Sequence, residues 1–386
     1  MVLNSQAETA FGGCPHDCPD TCSMVFDIKD GKVAGVSGNK DHPMTRGGLC
    51  VKLKDYEKRH YHPDRLLHPM RRTGPKGSAQ FERISWDEAL DEISGKWKAI
   101  IDEHGPQAIM PYSYLGHQGL VHGLNGADAF FNRMGATVTE RTFCGEGSCT
   151  AWLTTVGPTA GLDVESYIHS KYIVIWACNS VSTNLHHWAI IQDARKNGAK
   201  VVVIDSYKSR TAKEADWHIC PKPGTDGALA MAVINSIIDR GLVDKDYVDN
   251  YTNGYDELAE RAKDRTPEWA AEITGVAAED IRQLAKDLAT EQPAAIRMGV
   301  ALERHYGGGQ TIRAVTCIPG LTGAWKHVGG GITQFPVWEH PYKFDVICRP
   351  VLIPEVTRVI NAMPVGRALT GEMDLDIPSK SMLFWN

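Results

Sequence analysis

The amino-acid sequence predicts an α/β protein in which a small cysteine-rich domain precedes Rossmann-like domains with parallel sheets. Four cysteines stand near the N-terminus with the spacing C-x3-C-x3-C-x27-C. After them, short apolar runs typical of buried strands alternate with segments of helical periodicity, which is the pattern of βαβ units. A length of 386 residues is enough for two or three domains with separate hydrophobic cores.

The composition is that of an ordinary soluble globular protein, with 42% hydrophobic and 23% charged residues. The 47 acidic and 41 basic residues give a net charge of −6, so we expect no nucleic-acid-binding surface. The longest apolar runs, at 172–178 and 201–204, are too short to cross a bilayer. Residues 1–13 contain neither a basic and apolar leader nor a twin-arginine pair, so we expect a cytoplasmic protein without a membrane span.

The four N-terminal cysteines are Cys14, Cys18, Cys22 and Cys50. Three closely spaced thiolates and a fourth returned by a loop can surround one [4Fe-4S] cluster. A zinc site fits less well, because zinc modules pair their ligands at short spacing and Cys50 has no neighbouring cysteine, although His16 could substitute. Disulfides are disfavoured because residues 1–13 do not indicate secretion. The spacing therefore favours an iron–sulfur cluster and leaves zinc as the alternative.

The segment before Cys50 is predicted to form a hairpin. Two apolar runs, 24–29 and 32–36, flank Asp30-Gly31, a dipeptide suited to a two-residue hairpin turn. Such a hairpin would return Cys50 to the other three cysteines. Lys52 follows Cys50 by two positions, and it is either a surface lysine or a cation that tunes an adjacent anionic cluster.

A glycine-rich stretch at 140–149 contains Cys144, Gly145 and Gly147. Glycines allow the backbone to approach a large ligand closely, and a thiolate on such a loop can bind a soft metal. A cysteine in a buried turn is, however, commonly only a small hydrophobic residue. From the residues alone, both interpretations of Cys144 remain open.

The clearest βαβ unit combines a strand at 171–176, a helix at 185–196 and a second strand at 200–205. Its strands should be parallel, and ligands bind at the carboxyl ends of such strands. The absence of G-x-G-x-x-G after the first strand counts against a nicotinamide or flavin dinucleotide. The residues at the two strand ends, which are candidate ligand contacts, are Cys178, Asn179, Ser180, Asp205, Ser206 and Tyr207.

Two further turns contain polar candidates. Gly224, Thr225 and Asp226 precede an apolar helix, whose N-terminal N–H groups could hold phosphate while Asp226 accepts from a base or ribose. Asp226 could equally be a simple helix cap. Arg304 and His305 follow a strand at 294–300 and precede three glycines, so they are either active-site residues or structural ones.

Taken in chain order, the stretch from Cys14 to Lys52, the Cys144 loop and the turns after the strands resemble the molybdopterin oxidoreductases of the dimethyl sulfoxide reductase and formate dehydrogenase superfamily. The resemblance implies that Cys144 is the protein ligand of molybdenum or tungsten, with Ser148 and Cys149 as reserve candidates. It places Lys52 between a [4Fe-4S] cluster and a pterin. The cluster ligands that it implies are Cys14, Cys18, Cys22 and Cys50.

The same resemblance implies that the strand ends and the Gly224 turn grip the guanosine half of one of two molybdopterin guanine dinucleotides, and that Gln118 contacts a pterin. Members of the superfamily are longer than this chain, so we expect an N-terminal portion whose C-terminal part is missing. The implied domains are a cluster domain at 1–65, a discontinuous α/β domain at 66–140 and 318–386, and an inserted Rossmann-like nucleotide-gripping domain at 141–317.

These features predict an enzyme that passes electrons between the metal and the cluster while it oxidises or reduces a small-molecule substrate, with a separate redox partner protein. The candidate catalytic residues are Cys144, Arg304 and His305. Formate dehydrogenases have a histidine where Gly145 stands, which disfavours formate, and Cys144 in place of a serine disfavours sulfoxide reduction. The alternatives are a tungsten-dependent hydratase without net redox chemistry, a metal-free electron-transfer or structural subunit, and a zinc-binding module.

Overall fold

The computed structural model describes residues 8–16, 18–114, 125–334 and 343–385. Gln118, the predicted pterin contact, therefore lies outside the described residues. The chain divides into two compact units. The first consists of Met1–Asp17, Thr21–Thr142 and Tyr342–Asn386, and the second consists of Cys18–Asp20 and Phe143–Pro341.

Strands and helices are numbered in chain order over the described residues. The strands are β1 (Glu8–Gly13), β2 (Ser23–Lys29), β3 (Lys32–Gly38), β4 (Met70–Arg72), β5 (Phe81–Arg83), β6 (Ile109–Ser113), β7 (Val138–Glu140), β8 (Tyr172–Trp176), β9 (Lys200–Ile204), β10 (Trp217–Ile219), β11 (Ala294–Met298), β12 (Gly331–Thr333), β13 (Val359–Asn361) and β14 (Ser381–Trp385).

The α-helices are α1 (Tyr56–His60), α2 (Trp86–His104), α3 (Asp128–Met134), α4 (Gly145–Val156), α5 (Ser180–Thr183), α6 (Leu185–Lys196), α7 (Arg210–Glu214), α8 (Asp226–Asp239), α9 (Lys245–Tyr251), α10 (Tyr255–Ala262), α11 (Pro267–Thr274), α12 (Ala278–Thr290), α13 (Gly308–Leu321), α14 (Phe344–Cys348) and α15 (Val365–Thr370). No helix in the described ranges has both the length and the apolar character that a membrane span requires.

The first unit begins with an antiparallel sheet in the order β1-β2-β3. Asp30 and Gly31 connect β2 to β3 with left-handed φ angles of 51° and 71°. Positive φ at both positions produces a turn whose twist matches that of the paired strands, which is why the Asp-Gly dipeptide suits it. The predicted hairpin is therefore confirmed. Elsewhere in this unit, β14 pairs in parallel with β6, and β13 pairs in parallel with β7.

The second unit is built on a five-stranded parallel sheet in the order β10-β9-β8-β11-β12. The predicted βαβ unit is formed by β8, α6 and β9. Trp176, the last residue of β8, is level with Ile204 of β9 and with Met298 of β11. The carboxyl ends of the three central strands therefore lie side by side, which is where such sheets bind ligands.

The core of the second unit joins the sheet to its helices. Val174 and Ile296 from the central strands belong to one buried cluster with Leu229 and Val233 of α8 and Ile312 of α13. All residues of β8 and β11 are buried, as expected for central strands of a parallel sheet covered on both faces. Each large apolar side chain buried in this way contributes roughly 1.5–3 kcal/mol. The Rossmann-like α/β fold class is confirmed.

The second unit extends further along the chain than the inserted domain predicted at 141–317. It continues to Pro341 because β12 adds to the edge of the sheet beside β11, with Ile296 level with Ile332. It also includes Cys18–Asp20, which the sequence assigned to the cluster domain at 1–65. Contacts that are distant in sequence cause both differences, so local pattern could not reveal them.

Candidate cofactor and active site

Three of the four predicted cluster cysteines lie together in the first unit. The Cys14 amide donates to the Cys22 carbonyl at 2.9 Å. Burial raises the pKa of the Cys14 thiol, and the nearby Cys22 and Cys50 raise it further, while Lys52 opposes this shift. A thiol with a raised pKa still becomes a good ligand when the positive charge of a bound metal stabilises its thiolate form.

The fourth, Cys18, belongs to the second unit, where its Sγ lies 3.5 Å from the Thr183 carbonyl oxygen. None of the ten cysteines forms a disulfide. Within the described ranges, no three or more His, Cys, Asp or Glu side chains form a site for a single metal ion. A [4Fe-4S] cluster does not need three ligands around one ion, because each of its thiolates binds a different iron. Four cysteines that form no disulfide are therefore suitable ligands for such a cluster.

Cys144 stands immediately before α4 with a backbone conformation of φ 62° and ψ −119°. Positive φ is unfavourable for a residue with a Cβ, at about 1–3 kcal/mol, and such conformations concentrate at functional sites. Arg304 Nη2 donates toward Cys144 Sγ over 3.7 Å. The structure therefore brings together two of the three predicted catalytic residues. The guanidinium therefore offers a hydrogen-bond donor to this sulfur.

Glu303 is a half-buried carboxylate near the first turn of α4, and the sequence analysis did not predict it as a site residue. Its Oε2 accepts from the Ser148 amide at 2.5 Å. Burial raises the pKa of Glu303, although the contact with Ser148 opposes the shift. Glu303 Oε1 and Ser148 Oγ are buried without a hydrogen-bond partner among the residues that the structure describes. Two unpaired polar atoms near Cys144 fit a site that receives a polar group.

The two predicted strand ends converge through Asn179 and Tyr207. The Asn179 amide nitrogen donates to the Tyr207 hydroxyl at 3.4 Å, and the Asn179 amide oxygen accepts from Thr211 Oγ1 at 2.7 Å. Ser180 points into the protein interior, where its Oγ lies 3.7 Å from Cys178 Sγ. Asn179 and Tyr207 therefore form the accessible pair at this edge of the sheet, while Ser180 is fully buried.

Asp205 and Ser206 lie at the end of β9. Burial raises the pKa of Asp205, and hydrogen bonds from the Tyr207 amide and from Ser209 oppose that shift. His218 Nε2 donates to the Asp205 carbonyl at 3.0 Å. Ser206 is exposed. Of these two residues, the partly buried Asp205 has the more fixed position.

The Gly224 turn adjoins the same strand ends. Asp226 Oδ1 accepts from Trp176 Nε1 at 2.8 Å, and burial raises the pKa of this carboxyl group. Thr225, and not Asp226, occupies the N-cap position of α8. The Asp226 carboxylate therefore contacts the end of β8 and does not act as the simple helix cap that the local sequence also allowed.

His305 lies at this turn, although it follows Arg304 directly in the chain. Gly224 has a φ of 78°, and a Cβ added there would lie 3.2 Å from His305 Nδ1. His305 is also close enough to Asp226 to oppose the rise in the pKa of that carboxyl group. The neighbours of His305 are thus those of the predicted nucleotide grip. Its predicted catalytic role stays a prediction.

Comparison with known proteins identifies the family. Residues 65–372 match the family model described as molybdopterin oxidoreductase, and residues 12–62 match the molybdopterin oxidoreductase Fe4S4 domain. The chain belongs to the molybdopterin oxidoreductase family. The resemblance inferred from Cys14 to Lys52 and from the Cys144 loop is therefore confirmed.

Two curated relatives show how far the similarity extends. YoaE of Bacillus subtilis (strain 168), named a probable oxidoreductase, is 41% identical over 373 residues, which are 96% of this chain and 54% of YoaE. Dimethyl sulfoxide reductase DmsA of Escherichia coli (strain K12) is 29% identical over 100% of this chain and 53% of DmsA. The chain spans about half the length of the curated relatives it matches.

A solved structure shares the molybdopterin oxidoreductase fold. Acetylene hydratase from Pelobacter acetylenicus superposes with a TM-score of 0.76 and 25% sequence identity, covering 96% of this chain and 56% of that one. Together, the family matches support molybdopterin and a [4Fe-4S] cluster as the cofactors.

Proposed function

We propose that this chain is the cluster-binding and pterin-binding part of a molybdenum or tungsten oxidoreductase that acts on a small-molecule substrate. The observation that carries the proposal is Arg304 facing Cys144, whose backbone is held in a left-handed conformation, in a chain with an Fe4S4 domain. When bound, the metal and its pterins would supply the redox or Lewis-acid chemistry that amino-acid side chains lack.

Cys144 would hold the metal through Sγ, because a thiolate is a soft ligand. Arg304 donates toward that sulfur and brings a permanent positive charge beside it. Glu303 accepts from the Ser148 amide in the first turn of α4 and so fixes the backbone that follows Cys144. Ser148 is fully buried, and Cys149 is 6% exposed, which favours the more accessible Cys144 over these two reserve ligands.

The nucleotide half of a molybdopterin guanine dinucleotide would lie at the carboxyl ends of β8 and β9. Asn179 and Tyr207 would contact it from the strand ends. Trp176 orients the Asp226 carboxylate, which can accept from guanine N–H groups or from ribose. The Gly224 turn and His305 would border the phosphates, since N–H groups at a helix N-terminus favour anions. Gln118 stays a proposed pterin contact.

A [4Fe-4S] cluster would bind the four thiolates of Cys14, Cys18, Cys22 and Cys50. Lys52 adds a positive charge near these thiols, as its effect on Cys14 indicates. A cation close to an anionic cluster favours the reduced form and so tunes the reduction potential. In this proposal a separate redox partner protein exchanges electrons with the cluster.

A second candidate function is a tungsten-dependent hydratase without net redox chemistry. The fold similarity to acetylene hydratase over 96% of this chain favours it. Similarity to dimethyl sulfoxide reductase DmsA points back to redox chemistry, although Cys144 continues to disfavour a sulfoxide substrate. A metal-free electron-transfer or structural subunit is the third candidate.

Elemental analysis of the anaerobically purified full-length protein separates these candidates. The proposal predicts one molybdenum or tungsten together with the iron of one [4Fe-4S] cluster. Iron alone would indicate the metal-free subunit, and zinc without iron would contradict the cluster. If the heavier metal is present, hydration of an alkyne without any electron donor or acceptor would favour the hydratase over the oxidoreductase.

A further inference from the structure

Asp20 is a buried carboxylate that follows Cys18, one of the proposed cluster ligands, by two positions in the chain. It is 2% exposed and belongs, with Cys18, to the second unit. Its oxygens accept from Asn184 Nδ2, from the His186 amide at 3.1 Å and from His186 Nδ1 at 2.9 Å. A buried carboxylate is tolerated only when such donors replace water, so these contacts determine where Asp20 lies.

Asp20 also caps a helix to which it is not connected in sequence. Asn184 occupies the N-cap position of α6, but its side chain makes no capping hydrogen bond. The Asp20 carboxylate instead accepts from the His186 amide in the first turn. Helix N-termini carry unsatisfied N–H groups and a partial positive charge, so a carboxylate there is stabilised.

The contacts continue to the central sheet through Asn184. Its Oδ1 accepts from Arg297 Nε at 3.3 Å. Arg297 stands on β11, is 5% exposed, and donates through Nη1 to the Met298 carbonyl at 2.8 Å. A continuous buried chain of hydrogen bonds therefore joins β11, the start of α6 and the Cys18–Asp20 segment.

We propose that Asp20 is a positioning residue that holds Cys18 at the place where it binds the cluster, an inference that rests on the proposed cluster ligation. Cys18 is two residues from Asp20, and its Sγ faces the Thr183 carbonyl, next to Asn184. Cys18 and Asp20 thus contact adjacent residues of one turn. Asp20 supplies the carboxylate that accepts from all three donors and so attaches the segment to the start of α6.

The test compares Asp20→Asn with Asp244→Asn in the anaerobically purified protein. Asp244 is the control, since its partly exposed carboxylate also caps a helix, accepting from the Tyr247 amide at 3.0 Å and from Lys326 Nζ at 2.7 Å. In Asp20→Asn, the N–H groups of the new side-chain amide would face the Asn184 and His186 donors, which need an acceptor. We expect Asp20→Asn to release iron to a ferrous chelator at least about tenfold faster, because buried hydrogen bonds to a charged group are lost. Asp244→Asn should release iron at the unchanged rate.

A second readout needs no cluster. In the cluster-free protein, Asp20→Asn should accelerate alkylation of Cys18 by iodoacetamide relative to Cys14, as measured by mass spectrometry of the labelled peptides. Asn184→Ala, which keeps the carboxylate and removes one of its donors together with the acceptor of Arg297 Nε, should give a smaller acceleration, because the two His186 contacts of Asp20 remain. It serves as the test variant if Asp20→Asn does not fold.

The outcomes separate this inference from the proposed function. A protein that never acquires iron would contradict the proposed cluster, while alkylation of Cys18 would still test the attachment. Unchanged iron release and unchanged alkylation in the folded Asp20 or Asn184 variants would overturn the positioning role. Equal acceleration in Asp244→Asn would also overturn it, because general destabilisation would then be sufficient.

Discussion

Cys144 and Arg304 are the residues on which the proposed chemistry depends most. Cys144 has a left-handed backbone although it is not glycine, and Arg304 approaches its sulfur to 3.7 Å. An unfavourable backbone conformation persists only where surrounding contacts fix it. Glu303 supplies one such contact at the Ser148 amide. The loop is thus held so that the thiol and the guanidinium face each other.

Arg304→Ala should lower turnover about 10-fold to 100-fold, the usual effect of removing a residue that supports a metal ligand. Arg304→Lys should retain part of the activity, because it keeps the charge and loses the planar donor geometry. Steady-state assays and metal analysis of the same samples check both changes. Arg313→Ala is the control, since Arg313 is exposed and its side chain contacts Gln310. Equal losses in Arg304→Ala and Arg313→Ala would contradict a specific role for Arg304.

His187 makes stability depend on pH. Burial, reinforced by the charge of Arg297, lowers the pKa of His187 to about 3. Since its unfolded pKa is about 6.5, the unfolded chain binds the proton more tightly. The stabilisation that depends on neutral His187 is therefore complete above pH 6.5. As the pH falls from 6.5 toward 3, this stabilisation is lost, and the free energy of unfolding decreases by up to about 1.4 kcal/mol per pH unit.

Denaturant unfolding of the wild type and of His187→Gln between pH 7 and pH 4 measures this dependence. The slope of unfolding free energy against pH should be shallower in the variant by roughly one proton's contribution. Identical slopes in the wild type and in His187→Gln would show that His187 does not remain neutral in the folded protein.

At the scale of elements, α8 determines where the Gly224 turn meets the sheet. Its first turn positions Asp226 against Trp176, and Gly227 allows close packing against α13. A Cβ at Gly227 would lie 2.8 Å from Thr311 Oγ1, closer than atoms in contact can approach. Gly227 is therefore a packing requirement, since helix interiors otherwise favour alanine.

Gly227→Ala and Gly95→Ala form a matched pair. Gly95 lies on α2 with nothing within 4 Å of an added Cβ. Gly95→Ala should stabilise the protein by about 0.5–1 kcal/mol through helix propensity. Gly227→Ala should instead destabilise it by about 1–3 kcal/mol, because Thr311 must move. Denaturant midpoints measure both changes, and a stabilising Gly227→Ala would contradict the close approach of α8 and α13.

Local sequence patterns predicted the turn, the strands and the helix whose conformation depends mainly on neighbouring residues. The Asp30-Gly31 turn, β8, α6 and β9 all followed from residue pattern, because turn chemistry and hydrophobic periodicity act over a few residues. The attachment of β12 to β11 could not be predicted in this way. Neither could the different neighbours of Arg304 and His305, since adjacent side chains take directions that only the folded backbone determines.

At the scale of the whole molecule, the order of motifs carried more information than any single motif. A lone cysteine such as Cys144 is weak support for a metal site, but its place after Cys14 to Lys52 and before the strand ends predicted the family that comparison confirmed. The half-buried Glu303 and the buried Asp20 were not predicted, because their hydrogen-bond partners are distant in sequence. The chain covers about half of its relatives, so substrate and partner remain proposals.

The proposed chemistry requires Cys144 to bind the active-site metal. X-ray absorption spectroscopy at the molybdenum or tungsten edge, on the full-length protein and its Cys144→Ser and Cys149→Ser variants, tests it most directly. We predict that Cys144→Ser loses one sulfur from the metal coordination shell while Cys149→Ser keeps the full number. An unchanged number of sulfur ligands in Cys144→Ser, or the loss of one in Cys149→Ser, would contradict metal binding by Cys144.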